Sequence, residues 1–259
     1  MAEDNRPIGV FDSGVGGISV LGELTKLMPN ENFIYFGDSR NAPYGTKPHE
    51  LVRELTFATA SLLIEAGCKC LVIACNTATA AAVRPLRELY PGVPVIGIEP
   101  AIKPAVLDNP DGHVLVMATP VTLGEDKFHR LMAKYDRMAR ISTLACPGIV
   151  EFVEKGIVEG EALEEYLRGL LAEYTDTPPD AAVLGCTHYP FVRRSISRVL
   201  GKNTGIYDGG GGTAREALHQ LKLHDLLASP AQKGAVTLRN SNAKMVGLSR
   251  ELLEIARRL

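Results

Sequence analysis

The sequence predicts an α/β protein with mainly parallel sheets flanked by helices. Short apolar runs rich in β-branched residues alternate along the chain with segments of helical length. Most of these runs are continuous rather than interrupted by polar residues, which is typical of strands buried on both faces of a parallel sheet. Regular alternation of strands and helices places helices on both faces of such a sheet.

The predicted strands are short and spread along the chain. They cover residues 8–11, 33–36, 70–74, 95–98, 114–117, 141–144, 181–184 and 206–207. A helix is predicted over residues 48–64, where Pro48 suits the first helical turn and Leu51, Leu55, Leu62 and Leu63 lie on or near one stripe. A second helix is predicted over residues 161–174 and ends before the pair Pro178-Pro179.

Some strand segments resemble one another. Residues 71–77 and 182–188 each combine an apolar strand, a small residue, a cysteine and polar residues. Residues 10–13 and 116–119 each end a strand with a hydroxyl residue, and similar offsets separate the two pairs. This pattern favours two related halves, with Cys75 in one and Cys186 in the other. The alternative is chance similarity among short apolar strands.

Composition excludes several classes of protein. The 259 residues are 46% hydrophobic and 22% charged, with a formal net charge of −2 and no run of like charges. Nucleic acids and anionic membranes are therefore not expected as partners. The first seven residues are polar and acidic, unlike a signal peptide, and no apolar run is long enough to cross a bilayer. We expect a soluble, cytoplasmic protein.

Small polar or ionisable residues follow nearly every predicted strand. They include Asp12, Asp38, Cys75, Glu99, Thr119, Cys146, Cys186 and Asp208. In open parallel sheets, ligands bind beyond the carboxyl ends of the strands. The sequence therefore predicts the functional site along this edge.

The five cysteines do not form a recognisable disulfide or zinc pattern, because they are odd in number, widely spread and without a Cys-x-x-Cys motif. Cys68, Cys70 and Cys146 are expected to serve packing. Cys75 and Cys186 differ, because each ends an apolar strand and is followed at once by hydrogen-bonding residues.

Two thiols without a metal suit one reaction in particular. A nucleophilic hydrolase needs one cysteine with a histidine, and a redox pair normally needs a short motif. Racemisation needs two acid/base groups, because a proton leaves one face of a carbon and another arrives on the opposite face. A thiol, with an ordinary pKa of about 8.5, has both protonation states accessible near neutrality. Asp12, Glu154 and His188 are the ionisable groups expected near the thiols.

The glycine-rich segment at residues 12–19 supports a rival interpretation. It follows the first strand and opens a helix, as in a dinucleotide-binding fingerprint, and Asp38 ends the next strand. Against this, Ser19 occupies the third glycine position and Asp12 adds negative charge where a pyrophosphate would lie. The helix amides here could equally hold a substrate carboxylate.

Several motifs together resemble the glutamate racemases of the aspartate/glutamate racemase superfamily over nearly the whole chain. They are residues 9–17 (GVFDSGVGG), 35–38 (YFGD), 43–45 (PYG), 74–78 (ACNTA) and 185–190 (GCTHYP). The resemblance implies interconversion of L- and D-glutamate without cofactor or metal, supplying D-glutamate for peptidoglycan. Aspartate racemases resemble residues 187–188 less well. An aspartate racemase and a non-catalytic ligand-binding protein on the same scaffold are the remaining alternatives.

The resemblance also implies residue roles and a domain division. Cys75 would act on D-glutamate with help from Asp12, and Cys186 on L-glutamate with help from His188, with Glu154 nearby. Asp12 and His188 would also contact the substrate. The substrate's charged groups would further be held by Ser13, Pro43, Tyr44, Gly45, Asn76, Thr77, Thr119 and Thr187. Residues 1–98 plus 207–259 would form one domain and 99–206 the other, with the active site between them and a homodimer as the candidate assembly.

Overall fold

Two parallel sheets, flanked by helices, make up the protein in a computed structural model that describes residues 3–259, apart from the side chain of Lys127. Residues 1 and 2, which the first predicted domain includes, lie outside the described residues. The chain first forms β1 (Ile8–Asp12), α1 (Ile18–Leu27), β2 (Phe33–Gly37), α2 (His49–Glu65), β3 (Cys70–Ile73), α3 (Asn76–Leu89) and β4 (Val95–Gly97).

A second run of elements follows and builds the other sheet. It comprises α4 (Ile102–Asp108), β5 (His113–Ala118), α5 (Pro120–Gly124), α6 (Asp126–Ala133), β6 (Arg140–Ala145), α7 (Gly148–Glu154), α8 (Glu161–Leu170), β7 (Ala181–Leu184), α9 (Arg193–Leu200) and β8 (Gly205–Asp208). The chain then returns to the first sheet through α10 (Gly210–Leu223), β9 (Val236–Asn240) and α11 (Met245–Ala256).

The two sheets share one strand order. The first runs β4-β3-β1-β2-β9 and the second, read in the same sense, runs β8-β7-β5-β6. All strand pairs are parallel. The strand that precedes Cys75 and the strand that precedes Cys186 therefore occupy equivalent positions. The predicted class, two similar α/β units with mainly parallel sheets, is confirmed.

The second sheet includes the whole of β8. β8 pairs with β7 along its whole length, so the predicted boundary before residue 207 falls inside a strand of the second sheet. The exact domain division stays a prediction.

No helix among residues 3–259 has both the length and the apolar character needed to cross a bilayer.

Apolar packing joins the two units instead of separating them. One core contains Ile8 and Val10 of β1 with residues of α1, α10 and α11, and it continues into the second unit through Leu115, Met117 and Leu163. Two smaller cores lie on the outer sides, one between the first sheet and α2 and α3, the other between the second sheet and α4 and α6. The shared core holds the carboxyl edges of both sheets near each other.

Candidate active site

Both candidate thiols lie just beyond the carboxyl ends of equivalent strands and are buried. Cys75 follows β3 and Cys186 follows β7, with 6% and 8% of their surface exposed. Asp12 ends β1 and is fully buried, and Thr119 follows β5. The edge that the sequence predicted as the functional site is thus formed by both sheets together.

Cys75 lies buried at the amino end of α3, where the Asp12 carboxylate acts on it electrostatically. Its Sγ accepts a hydrogen bond from the Ala78 amide at 3.4 Å and is 3.6 Å from Ser13 Oγ, to which the thiol can donate. Burial, with a further contribution from the Asp12 carboxylate, raises the pKa of the Cys75 thiol to about 12. Burial likewise raises the pKa of Asp12 itself.

Cys186 has a different neighbour. Its Sγ lies 3.6 Å from His188 Nδ1, while His188 Nε2 lies 2.8 Å from Glu154 Oε1. Burial alone would lower the pKa of the His188 imidazole, but its hydrogen bonds to Cys186 and Glu154 raise that pKa well above its ordinary value. A protonated imidazole can donate to both neighbours, so it is suited to facing a thiolate at Cys186.

The carboxylate of Glu154 is held by groups from both units. Burial opposes its ionisation, but hydrogen bonds from His188, from the Val15 amide at 2.7 Å and from Ser39 at 3.2 Å bring the pKa of its carboxyl below the ordinary value. The His188–Glu154 pair is therefore best described as an imidazolium beside a carboxylate.

Polar contacts close the edge between the two units. Thr187 Oγ1 donates to Asp12 Oδ2 at 2.9 Å, and Ser19 Oγ donates to the Thr187 carbonyl at 2.8 Å. Thr77 Oγ1 and Thr119 Oγ1 are 3.4 Å apart. Predicted site residues from the two halves are therefore brought together.

The glycine-rich segment owes its composition to this close approach. A β-carbon at Gly14 would overlap the Glu154 carboxylate, and one at Gly16 would overlap the His188 ring. The Val15 amide, which a dinucleotide phosphate would need, donates instead to Glu154. The structure thus explains these glycines by contact with the second unit.

The remaining predicted residues lie around Cys75 or on the adjoining loop. Pro43 precedes the short turn Tyr44–Thr46, and Gly45 packs against Thr119. The Tyr44 hydroxyl donates to Asp38 Oδ2 at 2.8 Å. Asn76 begins α3, is 8% exposed, and its Oδ1 has no hydrogen-bond partner among the described residues. That buried acceptor is free to receive a donor from a ligand.

Two residues of the site escaped sequence reasoning. Ser39 contacts Glu154, and Asn240, at the end of β9, donates to Ser39 Oγ at 3.0 Å. Ser39 follows a strand end and could have been found by that signal, whereas β9 was not predicted at all.

Among residues 3–259, no group of three His, Cys, Asp or Glu side chains could hold a metal ion.

Comparison with known proteins agrees with this geometry. The family model for Asp/Glu/hydantoin racemases matches residues 19–217. The glutamate racemase of Clostridium botulinum is 50% identical over 256 residues, which cover 98% of this chain and 99% of that protein.

Solved structures are also similar. Glutamate racemase from Francisella tularensis in complex with D-glutamate has a TM-score of 0.82 and 31% identity, covering 99% of this chain and 95% of that one. Escherichia coli glutamate racemase in complex with L-glutamate and the activator UDP-MurNAc-ala has a TM-score of 0.83 and 30% identity, covering 97% and 95%. The resemblance noted in the sequence motifs is confirmed, and the chain belongs to the Asp/Glu/hydantoin racemase family.

Proposed function

We propose that the protein is a glutamate racemase that interconverts L- and D-glutamate by proton transfer between two thiols, without a cofactor. The observation that carries the proposal is the pair of buried cysteines at equivalent strand ends, one beside a carboxylate and the other beside an imidazole. The glutamate complexes of its relatives support the choice of substrate. The family resemblance supports a role in supplying D-glutamate for peptidoglycan.

In the proposed reaction from L- to D-glutamate, Cys186 acts first. Its thiolate takes the α-proton, and the electron pair of the broken C–H bond moves into the substrate's α-carboxylate system. The Cys75 thiol then donates its proton to the opposite face of the α-carbon, which leaves Cys75 as the thiolate and Cys186 as the thiol. The reverse reaction exchanges these roles, so each thiol serves as base in one direction and acid in the other.

The surroundings of the two sulfurs suit this direction of transfer. The raised pKa of Cys75, about 12, keeps it protonated and ready to donate. The protonated His188 ring faces Cys186. The substrate's ammonium group would donate to the unpartnered Asn76 Oδ1 and would lie near the negative charge of Asp12. Because the ammonium group is positive, it would also favour the Cys75 thiolate that the reverse reaction needs.

Isotope incorporation tests the two-thiol mechanism directly. In heavy water with ordinary L-glutamate, Cys75 carries deuterium from solvent, whereas Cys186 receives the substrate's own proton. We expect D-glutamate to form already deuterated while the remaining L-glutamate stays largely protonated early in the reaction. Proton NMR or mass spectrometry of the separated enantiomers measures this. Deuterium entering L-glutamate as fast as D-glutamate appears would contradict two opposed thiols.

Activity should require no added cofactor. In the sequence, no lysine lies in a context that suggests a Schiff base, and the thiols suffice for the proton exchange. We expect chiral chromatography to detect racemisation of L-glutamate, in preference to L-aspartate, after dialysis against a chelator and without pyridoxal phosphate. Activity that disappears on dialysis and returns with zinc would overturn this, and faster turnover of L-aspartate would change the proposed substrate.

We further propose a cytoplasmic homodimer without nucleic-acid partners. The net charge of −2 supports the lack of a nucleic-acid partner. Leu51 and Leu62 on α2 are 40% and 51% exposed and supply apolar surface for an interface.

A further inference from the structure

The Glu154 carboxylate is bound on both oxygens. Its Oε1 accepts hydrogen bonds from the Val15 amide and His188 Nε2, and its Oε2 accepts one from Ser39 Oγ at 3.2 Å. The contact with His188 follows from the proposed mechanism, because His188 faces Cys186, and the Val15 amide joins the first unit to the second at Glu154. Ser39 lies in the loop after β2 and supplies the third hydrogen-bond donor, and the two-thiol mechanism does not use it.

Asn240 fixes the direction in which Ser39 donates. Asn240 Nδ2 donates to Ser39 Oγ at 3.0 Å, and Asn240 Oδ1 accepts from the Asn242 amide at 2.8 Å. A backbone amide can only donate, so the oxygen of the Asn240 side chain must face Asn242 and its NH₂ group must face Ser39. Ser39 Oγ is therefore an acceptor toward Asn240, and its single hydrogen is directed to Glu154.

The register of the sheet builds this arrangement. Asn240 pairs with Gly37 at the carboxyl ends of β9 and β2, two residues before Ser39. The chain of hydrogen bonds then runs from Asn240 through Ser39, Glu154 and His188 to Cys186. It links the returning C-terminal segment to a thiol in the other unit.

We propose that Ser39 and Asn240 are positioning residues for the racemisation, which act by orienting the Glu154 carboxylate that holds His188 against Cys186. This inference rests on the proposed function. Neither residue touches the reacting sulfur, so each acts through Glu154 and His188.

Loss of the hydrogen bond from Ser39 changes the pKa of the Glu154 carboxyl in a known direction. Hydrogen bonds to a carboxylate favour its charged form, so removing one raises the pKa of the Glu154 carboxyl. The titratable groups that interact electrostatically with Glu154 include His188, Asp12 and Tyr35, whereas the side-chain hydrogen bonds of Ser39 join it to Glu154 and Asn240. A carboxylate with a higher pKa is protonated at a higher pH. The acid limb of the pH profile of kcat/KM therefore shifts to higher pH.

The test compares Ser39→Ala with Ser39→Thr, which keeps the hydroxyl. We expect Ser39→Ala to lower kcat/KM about tenfold, as for loss of one hydrogen bond to a charged group. We also expect it to shift the acid limb of the pH profile to higher pH. We expect Ser39→Thr to stay near the wild type. Asn240→Asp should behave like Ser39→Ala, because a carboxylate at 240 attracts the Ser39 hydrogen away from Glu154.

Ser241→Ala is the matched control. Ser241 Oγ accepts from the Arg40 amide at 3.0 Å in the same pair of loops, without touching Glu154. It should disturb local packing as Ser39→Ala does while leaving the pH profile unchanged. If Ser39→Ala and Ser241→Ala give the same kcat/KM and the same acid limb, the positioning role is wrong.

A substrate-free measurement separates this inference from the proposed function. The pKa of the Glu154 carboxyl can be followed by carbon-13 NMR of side-chain-labelled glutamates, with Glu154→Gln giving the assignment. We expect that pKa to rise in Ser39→Ala and Asn240→Asp and to stay at the wild-type value in Ser241→Ala. An unchanged pKa in both test variants overturns the inference, whether or not the wild type racemises glutamate.

Discussion

Replacing either Cys75 or Cys186 with alanine is expected to lower kcat/KM for racemisation by about 10³-fold or more, because a general acid or base contributes about 10²–10⁴-fold and one thiol cannot serve both faces. Both directions should be affected equally in kcat/KM, since the two enantiomers have the same free energy in solution. Chiral chromatography from L- and from D-glutamate measures both rates.

Two other buried cysteines provide the control. Cys68 precedes β3 and Cys70 begins it, at the opposite end of the strand from Cys75, with 3% and 0% of their surface exposed. Replacing either with alanine should change stability but leave the rate of the folded protein near the wild type. Racemisation by Cys186→Ala at near the wild-type rate would show that the two-thiol assignment is wrong.

Replacing Lys69 with methionine is expected to destabilise the protein by about 3–5 kcal/mol, because it leaves a buried charge without its partner. Lys69 Nζ and Glu31 Oε2 are 2.6 Å apart, with 0% and 3% of their side chains exposed. Lys69 Nζ also donates to the Asp4 carbonyl, and Glu31 Oε1 accepts from the Ala228 amide. Urea unfolding followed by circular dichroism measures the loss.

Lys26→Met is the matched surface control. The Lys26–Glu23 pair has a similar separation of 2.7 Å but its side chains are 36% and 33% exposed, so its loss should cost less than about 1 kcal/mol. Adding Glu31→Gln to Lys69→Met should recover much of the lost stability, because the remaining amide oxygen still accepts from Ala228. Equal destabilisation by Lys69→Met and Lys26→Met would contradict the role of the buried pair.

Eight of the nine strands among residues 3–259 were predicted from sequence, including the edge strands β4, β6 and β8, but β9 was not. The predicted strand at residues 181–184 coincides with β7, and the other seven predicted strands agree to within a residue at each end. β9 was missed because Val236, Leu238 and Asn240 are only partly buried and alternate with exposed Thr237 and Arg239. A strand whose apolar and polar residues alternate lacks the continuous apolar run that identifies a strand covered on both faces.

Helix bounds were close, but two of the four leucines on one predicted apolar stripe are exposed. The helix predicted over 48–64 is α2 at His49–Glu65, and the one over 161–174 ends as an α-helix at Leu170 and continues as a short turn at Ala172–Tyr174. On α2, Leu51 and Leu62 were expected beside the buried stripe and are instead exposed. Val52, Thr56 and Ala60 face the sheet, because small and β-branched residues fit its surface closely.

Residue type and position at a strand end were enough to select the candidate thiols and Asp12, whereas Glu154 lies at the end of α7 and follows no strand. The contact of Ser39 with Glu154 and the contact of Asn240 with Ser39 could not be deduced in the same way. They join residues 115 and 201 positions apart in the chain. The sheet register brings Asn240 beside Ser39, and the packing of the two units brings Glu154 to it. Likewise, the glycines at 14 and 16 suggested a phosphate loop until their packing against Glu154 and His188 was known.

The order in which strands enter the first sheet has a consequence for synthesis on the ribosome. The second sheet is built from one uninterrupted segment, β5 to β8, whereas the first sheet takes four strands from residues 8–97 and its fifth from Val236–Asn240. The second unit can therefore fold while the chain is still being made. The first unit must wait for its edge strand and α11, and until they emerge β2 is left as an open edge to which another nascent chain can pair.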